Sequence, residues 1–216
     1  TSLEKAMFSS PAACIKSINE RLKKLRKKYN DNDIVDIKKL EELKEALLKI
    51  TPKTFSRYCK LLELLSNKEY GWNSKNKKDR IVIFTERIET MRYLAEHLRN
   101  DLDFDESTVQ ELYGGMSDYE QQKIVEDFGR EESPIRILVA SDVASEGINL
   151  HYLCHRLIHF DIPWSLMVFQ QRNGRIDRYG QKEQPDIRYF LIHSKNSEIK
   201  GDMRILEILV AKEDQA

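Results

Sequence analysis

The sequence has little of what marks a secreted or membrane-bound protein. It contains only three cysteines in 216 residues, and because these are far apart and odd in number, a disulfide framework is disfavoured and a reducing compartment is favoured. The longest apolar runs, such as residues 135–140, are far shorter than a membrane span, and the N-terminus lacks a signal-peptide core. We therefore expect a cytoplasmic protein of a bacterium or a nuclear protein of a eukaryote, with no membrane partner.

Net charge is also absent. Lys and Arg total 36, and Asp and Glu total 36, so no global positive field draws the chain to nucleic acid. Any contact with DNA or RNA must come from a local groove. The basic stretch at residues 21–28, RLKKLRKK, is more typical of a solvated helix face. The chain opens on TSLEKAMFSS without a starting Met, and we expect it to be a segment of a longer protein.

Two halves with different patterns meet near residue 78. Before it, apolar residues recur at helical spacing at positions 34, 37, 40, 43, 47 and 50, and another helix is predicted after Thr51 and Pro52. Residues 1–77 are predicted to be a helical brace or insertion with a polar linker at residues 73–79. Residues 78–216 are predicted to form the second unit.

After residue 80, short β-branched runs alternate with amphipathic helices. Strands are predicted at residues 81–84, 109–112, 135–140, 156–160 and 187–193. The intervening helices are predicted at residues 88–98, after Ser117, after Pro163 and at 198–211. Ser117 with Glu120 forms a capping box, and Gly129 is predicted to end that helix. This alternation predicts an α/β fold whose parallel sheet is covered by helices on both faces.

A sheet of this kind usually binds its ligand at the carboxyl ends of the strands. Two phosphate-binding motifs are missing there: no GxGxxG follows the first strand, and no GxxxxGK[ST] occurs anywhere in the chain. A dinucleotide-binding fold is therefore disfavoured. If the chain meets a nucleotide, it does not hold the phosphates through a P-loop.

One segment is rich in arginine. Residues 170–181 read QQRNGRIDRYGQ, and on a helix Arg172, Arg175 and Arg178 would form one stripe. Three repelling cations on one face make sense opposite an anion, and the guanidinium fork suits phosphate oxygens. Gly174 would let a ligand or another backbone approach closely. The alternative is a solvated basic face that Asp177 partly neutralises.

A second segment places small and acidic residues after a hydrophobic strand. Residues 137–150 read ILVASDVASEGINL. Hydroxyls, amides and a carboxylate beyond a parallel strand's carboxyl end can contact ribose or phosphate. The alternative is an ordinary strand-to-helix loop with Asp142 as a helix cap.

Taken together, these segments resemble a known family. DVASEGINL, FDIPWS and QRNGRIDRYGQ are similar to motifs five, five-a and six of superfamily-two helicases, in the form typical of the Swi/Snf-like branch and its bacterial HepA/RapA-type members. IVIFTERIETMRYLAEHL resembles motif four. The resemblance covers residues 78–193 in the family's order. It implies a RecA-like C-terminal helicase lobe, with residues 1–66 matching the linking helices loosely.

The resemblance also implies residue roles. Arg175 and Arg178 would be arginine fingers, and Gln171 would position the nucleotide or the attacking water. Glu146, Gly147 and Asn149 would line the nucleotide side of the cleft. Thr85, Ser141 and Asp142 would lie near the nucleic-acid backbone. Arg172 is expected to brace the loop through a carboxylate.

The implied function is that of a half-motor, inactive alone. ATP and Mg²⁺ would be held mainly by an N-terminal RecA-like lobe of the same parent chain, whose P-loop this sequence lacks. The expected partners are that lobe, double-stranded DNA, and RNA polymerase or another DNA-bound complex. Two alternatives stay open: a non-catalytic nucleic-acid or protein-binding module, and an RNA-directed helicase lobe. The segment HSKNSEIKG replaces the family's usual Gly-Thr segment, which leaves the contacts of that region undefined.

The histidines of HYLCHRLIH invite a zinc interpretation. On one helix, His151, His155 and His159 would share a face, but RLIHF is predicted to be a strand, which breaks that geometry. No metal site is expected in this chain. Cys154 lacks an identifiable base for nucleophilic chemistry. Trp164 is expected to pack beneath its loop.

Overall fold

The computed structural model describes residues 2–27, 33–142 and 148–193, together with residues 196, 202 and 207. Four helices precede the sheet: α1 (Ser2–Ser9), α2 (Pro11–Lys27), α3 (Ile34–Leu48) and α4 (Ser56–Ser66). The alternating region follows, and its elements in chain order are β1 (Arg80–Thr85), α5 (Ile88–Asp101), β2 (Val109–Leu112), α6 (Asp118–Phe128), β3 (Ile137–Ser141), β4 (Cys154–His159), α7 (Leu166–Asn173) and β5 (Asp186–Tyr189).

The five strands form one parallel sheet in the order β2-β3-β1-β4-β5. β1 lies at the centre, and all six of its residues are buried. The predicted α/β class is confirmed, and each predicted strand is present with end shifts of a few residues. The shift is largest for β5, which ends at Tyr189 and not at residue 193.

Alternate residues of β1 point to opposite faces of the sheet, as strand geometry requires. Ile81 and Ile83 join a core that includes apolar residues of α4 and α5. Val82 and Phe84 join a second core, which includes Phe128 of α6. The sheet is therefore buried on both faces, which explains why its strands read as continuous apolar runs.

The N-terminal helices divide into two packing groups. Tyr58, Leu61 and Leu65 of α4 belong to the same core as the sheet. α1, α2 and α3 instead share a smaller cluster that includes Ala6, Ile18 and Leu40, and α2 also contacts α5. The sequence pattern changes near residue 78, but the sheet's core extends across this point. α4 precedes residue 78 and packs into that core.

The ends of α6 follow the predicted signals. The Ser117 side chain accepts from the Glu120 main-chain N–H, and the Glu120 carboxylate accepts from the Ser117 N–H, which completes the capping box. Gly129 caps the other end. The predicted closing helix at 198–211 lies outside the described residues except for Asp202 and Glu207. In the described part of the chain, no helix is both long and apolar enough to cross a membrane.

Candidate functional site

The carboxyl ends of the central strands bring predicted site residues together. β1 and β3 end side by side, with Thr85 paired with Ser141 in the parallel register. β4 pairs with the other side of β1, and Asp161 follows shortly after its last residue, His159. Asp142 comes directly after β3. These residues lie at the edge where the fold class predicts a ligand.

Arg172 of α7 is completely buried at this edge. Its Nε donates to Asp142 Oδ1 at 2.5 Å, and its Nη1 donates to the carbonyl oxygen of Asp161 at 2.9 Å. Its Nη2 lies 3.6 Å from Asp161 Oδ1. Burial raises the pKa of Asp142, and the charge of Arg172 opposes that rise. These contacts agree with the expected brace to a carboxylate.

His159 completes the surroundings of Arg172. Its Nδ1 lies 3.3 Å from Arg172 Nη1, and its Nε2 lies 2.8 Å from Asn173 Oδ1. Burial, followed by the charge of Arg172, lowers the pKa of His159 to about 3. The ring is therefore neutral near pH 7. Since a guanidinium only donates, Nδ1 must accept and Nε2 must carry the proton.

The predicted stripe of three arginines on one helix is wrong. α7 ends at Asn173 and Gly174 caps it, so only Arg172 is helical. Arg175 and Arg178 lie in the turns that follow. The arginines therefore do not share one helix face, since Arg172 lies inside the protein and Arg178 lies on its surface.

Arg175 and Arg178 both contact residues 148–150, which lie shortly before β4. Arg175 Nη1 donates to the carbonyl of Ile148 at 3.2 Å, and the main-chain N–H of Leu150 donates to the Arg175 carbonyl at 3.1 Å. Arg178 donates to the Asn149 side-chain oxygen. The structure thus joins three of the predicted residues, the two arginines and Asn149. Gln171 lies half-buried on α7 beside Arg172.

Glu146 and Gly147, predicted to face the nucleotide, lie outside the described residues. The nearest described cavity is a groove of about 670 Å³ between α6 and the segment that holds Asn149. Its walls carry amides and carboxylates, among them Gln121, Gln122 and Glu126. Asn149, whose side-chain oxygen accepts from Arg178, also lines this groove.

Two residues expected to contact nucleic acid face into the protein. Thr85 is fully buried, and its hydroxyl donates to Asp161 Oδ2 at 2.6 Å. Ser141 is almost as buried. α1 lies over Thr85, since Ser9 of α1 is within 3.5 Å of its hydroxyl. In this arrangement neither hydroxyl is exposed to solvent. The nucleic-acid roles of Thr85, Ser141 and the half-buried Asp142 stay predictions.

The strand that disfavoured a zinc site is confirmed, because His155 and His159 lie on β4 and His151 lies in the turn before it. Among the described residues, no group of three or more His, Cys, Asp and Glu could hold a metal ion. Trp164 was expected to be packed away, yet its exposed fraction is 38%. The Lys5 ammonium lies 5.0 Å from the centroid of its ring.

Asp161 and Ser9 are central to this edge, and sequence reasoning gave neither a role. The sequence could have indicated Asp161, because it is an acidic residue directly after the hydrophobic strand in RLIHFD. Ser9 has no such signal. It lies 152 positions before its partner Asp161, and no local pattern reports such a contact.

The sequence was also compared with known proteins. The family described as "Helicase conserved C-terminal domain" matches residues 55–180, more than half of the chain. The chain belongs to the helicase C-terminal domain family. The match begins just before α4, the helix that shares a core with the sheet, and ends just after Arg178.

Relatives of this helicase domain include the RNA polymerase-associated protein RapA. The chain is 33% identical to RapA of Vibrio campbellii over 113 residues, which is 52% of this chain and 11% of that protein. The RapA of Vibrio cholerae is 32% identical over 111 residues, 51% of this chain and 11% of that protein. The human ATP-dependent RNA helicase DDX42 is 28% identical over 148 residues, 66% of this chain and 15% of that protein.

A crystal structure of the C-terminal part of the Fun30 ATPase domain has the same fold. It matches with a TM-score of 0.56 and 20% identity, covering 90% of this chain and 65% of that one. The predicted RecA-like fold and the resemblance to the RapA-type branch of Swi/Snf-like helicases are confirmed. The helicase domain spans only about a tenth of the length of its RapA relatives.

Proposed function

We propose that this helicase domain is the C-terminal motor lobe of an ATP-dependent double-stranded DNA translocase. Arg175 and Arg178 would act on an ATP that, with Mg²⁺, is held mainly by the N-terminal lobe of the parent chain. The observation that supports this most is the separation of the arginines. Arg172 is locked to two acidic residues inside the protein, whereas Arg178 lies on the surface beside Asn149.

The residues present fit a shared nucleotide site. Guanidinium groups suit phosphate oxygens, and the side chain of Asn149 adds an amide next to Arg178. In this proposal the Mg²⁺ ligands belong to the N-terminal lobe of the parent protein. ATP supplies the phosphoanhydride bond, and the arginines contribute positive charge where negative charge develops.

The expected size of this contribution is large. An arginine finger accelerates phosphoryl transfer by about 10³–10⁵, which corresponds to about 4–7 kcal/mol of barrier. Because the arginines and the ATP would sit on different lobes, hydrolysis would depend on closure of the two lobes. That dependence would convert the nucleotide state into movement along DNA.

The test uses the parent protein with Arg175→Ala and, separately, Arg178→Ala. We expect the DNA-stimulated ATPase rate to fall by about 10³-fold or more in each variant, with DNA affinity retained. Arg188→Ala is the matched control, because Arg188 is another exposed arginine and pairs with Asp186 of its own strand, β5. A fully active Arg175→Ala enzyme contradicts the arginine-finger assignment.

A second candidate function is an RNA-directed motor. It is favoured by the match to an ATP-dependent RNA helicase, which covers 66% of this chain, more than the RapA matches cover. Contacts to a nucleic-acid backbone do not identify the polymer. ATPase stimulation of the parent protein by duplex DNA and by RNA of equal length distinguishes the two functions.

RNA polymerase is a further proposed partner of the parent protein. The support is the description of the RapA relatives as RNA polymerase-associated. Co-purification of the parent protein with RNA polymerase in the absence of DNA tests this partner.

A further inference from the structure

The carboxylate of Asp161 is surrounded by donors. Oδ2 accepts from the hydroxyl of Ser9 at 2.5 Å and from the hydroxyl of Thr85 at 2.6 Å. Oδ1 accepts from the main-chain N–H of Glu86 at 2.8 Å and lies 3.6 Å from Arg172 Nη2. The carboxylate therefore accepts three hydrogen bonds and faces one guanidinium, and these groups come from three segments, α1, the end of β1 and α7.

One of those segments is α1, and several contacts keep it there. Its carboxyl end is held by Arg57 of α4, whose Nη1 donates to the Phe8 carbonyl at 2.5 Å. Its amino end is held more loosely, where Arg87 Nη2 donates to the Ser2 carbonyl at 3.2 Å. Ser9 is the residue through which α1 reaches the strand ends.

Another segment is the one that carries the surface arginines. Arg172 binds Asp161 twice, through the carbonyl oxygen and through the carboxylate. The main-chain N–H of Arg175 donates to the Arg172 carbonyl at 3.1 Å, so the turn begins on a residue that Asp161 fixes. A continuous set of contacts therefore runs from Ser9 through Asp161 and Arg172 to Arg175.

We infer that Asp161 is a positioning residue that couples the docking of α1 to the placement of the arginine segment. When Ser9 is bound, the carboxylate is held toward Arg172, and Arg175 and Arg178 keep the orientation required for hydrolysis. When α1 leaves, Oδ2 loses one of its two donors, the carboxylate is held less firmly, and the arginine segment loosens. The catalytic part of this inference rests on the proposed function.

A purely structural role for the same contacts makes different predictions. Buried ion pairs often contribute little net stability, and apolar replacements can even be more stable. A network kept only for stability would, when broken, reduce the amount of folded protein and all activities together. A positioning network would reduce the catalytic rate alone.

The first experiment is Asp161→Asn in the parent protein, which keeps the size of the side chain and removes its charge. We expect kcat for DNA-stimulated ATP hydrolysis to fall by about 10²-fold, the loss typical of a reacting group displaced by about 1 Å. KM for ATP and the affinity for DNA are expected to stay within about twofold. An equal loss in all three quantities overturns the positioning role.

A double-mutant cycle with Arg175→Ala locates the effect. If Asp161 acts through the arginines, adding Asp161→Asn to the Arg175→Ala protein lowers the remaining rate by less than about twofold, because residues that act as a unit are non-additive. A further 10²-fold loss in the double variant overturns the inference.

Ser9 and Ser10 supply a matched pair. Both are buried and both lie 2.7 Å from the Thr90 hydroxyl, but only Ser9 also contacts Asp161. We expect Ser9→Ala to lower kcat by about three- to tenfold, the equivalent of one hydrogen bond, and Ser10→Ala to leave kcat unchanged. Equal effects of the two substitutions contradict the coupling.

Hydrogen exchange tests the coupling without activity. The Leu150 amide donates to the Arg175 carbonyl and so reports on the arginine turn. In Asp161→Asn and Ser9→Ala we expect this amide to exchange at least about threefold faster, with α6 amides unchanged. Unchanged exchange at Leu150 overturns the inference. If the wild-type parent shows no DNA-stimulated ATPase while Leu150 responds as expected, the proposed function fails and the coupling stands.

Discussion

Buried arginines lie at both edges of the sheet, and the two fully buried ones, Arg80 and Arg172, bind different partners. At the amino edge, Arg80 and Arg136 donate to main-chain carbonyls. At the carboxyl edge, the partners of Arg172 include the carboxylates of Asp142 and Asp161. The residue type and the burial of Arg80 and Arg172 are alike, so the difference between them lies in the partners of the guanidinium.

The partners decide what each arginine can do. Arg80 donates to the carbonyls of Asp127 and Phe128 at the carboxyl end of α6, where the last helical carbonyls lack partners and carry partial negative charge. Those carbonyls cannot change partner while α6 is folded. Carboxylates on separate loops can. The amino edge is therefore suited to stability, and the carboxyl edge is suited to a site that rearranges.

The largest expected effect breaks the amino edge. Arg80→Ala leaves the buried carbonyls around the end of α6 without their charged donor, and we expect the free energy of unfolding of the 216-residue chain to fall by about 3 kcal/mol or more. The urea midpoint measures it. In the parent protein, the ATPase rate per folded molecule should stay the same, since Arg80 is remote from the carboxyl edge.

Arg130→Ala is the control for that prediction. Its side chain is well exposed, and its ion pairs with Glu126 and Asp127 span 3.7 and 3.8 Å. Exposed pairs of this kind contribute about 0–1 kcal/mol. If Arg80→Ala lowers the free energy of unfolding no more than Arg130→Ala does, the hydrogen bonds from Arg80 to the main chain do not stabilise the fold as expected.

A smaller effect probes the carboxyl edge through pH. The pKa of His159 is lowered from 6.5 to about 3 in the folded chain. As pH falls, the unfolded chain therefore binds a proton at His159 before the folded chain does. Its contribution to stability is therefore complete above about pH 6.5 and is lost as pH falls from there toward 3. The expected loss is about 1.4 kcal/mol for each pH unit well below 6.5.

Urea midpoints at pH 7.5 and 5.5 measure this slope in the wild type and in His159→Asn. The asparagine does not titrate, so the difference between the two proteins isolates the histidine from Asp142, whose raised pKa acts in the opposite direction. His155→Asn, on the same strand, is the control. Equal slopes in the wild type and His159→Asn would contradict a buried neutral ring.

Much of the carboxyl edge was predictable because its signals are local. Strand runs and the capping box at Ser117 follow from residues near in sequence, and the family motifs named Asn149, Arg175 and Arg178 as candidate site residues. The amino edge was not predictable. Arg80 lies 47 positions from Asp127, and an arginine that opens a strand reads as a surface residue until the packing of α6 is known.

The arginine stripe failed for a different reason. Spacing of three fits a helix, but the spacing carries no information on where the helix stops. Gly174 was interpreted as a point of close approach, whereas it caps α7. A glycine directly after an apolar helical segment is a common end signal, and that interpretation would have separated Arg172 from Arg175. The contact between Ser9 and Asp161 had no sequence signal at all.

The smallest expected effect compares the two ends of α6 within one helix. Ser117→Ala removes the local cap at its amino end, and we expect a loss of about 1 kcal/mol in the free energy of unfolding. Ser107→Ala, at another exposed serine, should change it by less than about 0.5 kcal/mol. The Ser117 end is exposed, so water can replace the lost oxygen. The Arg80 side chain is fully buried, so water less easily reaches the carbonyls that it leaves. If Ser117→Ala lowers the free energy of unfolding as much as Arg80→Ala does, burial does not explain the difference between the two ends of α6.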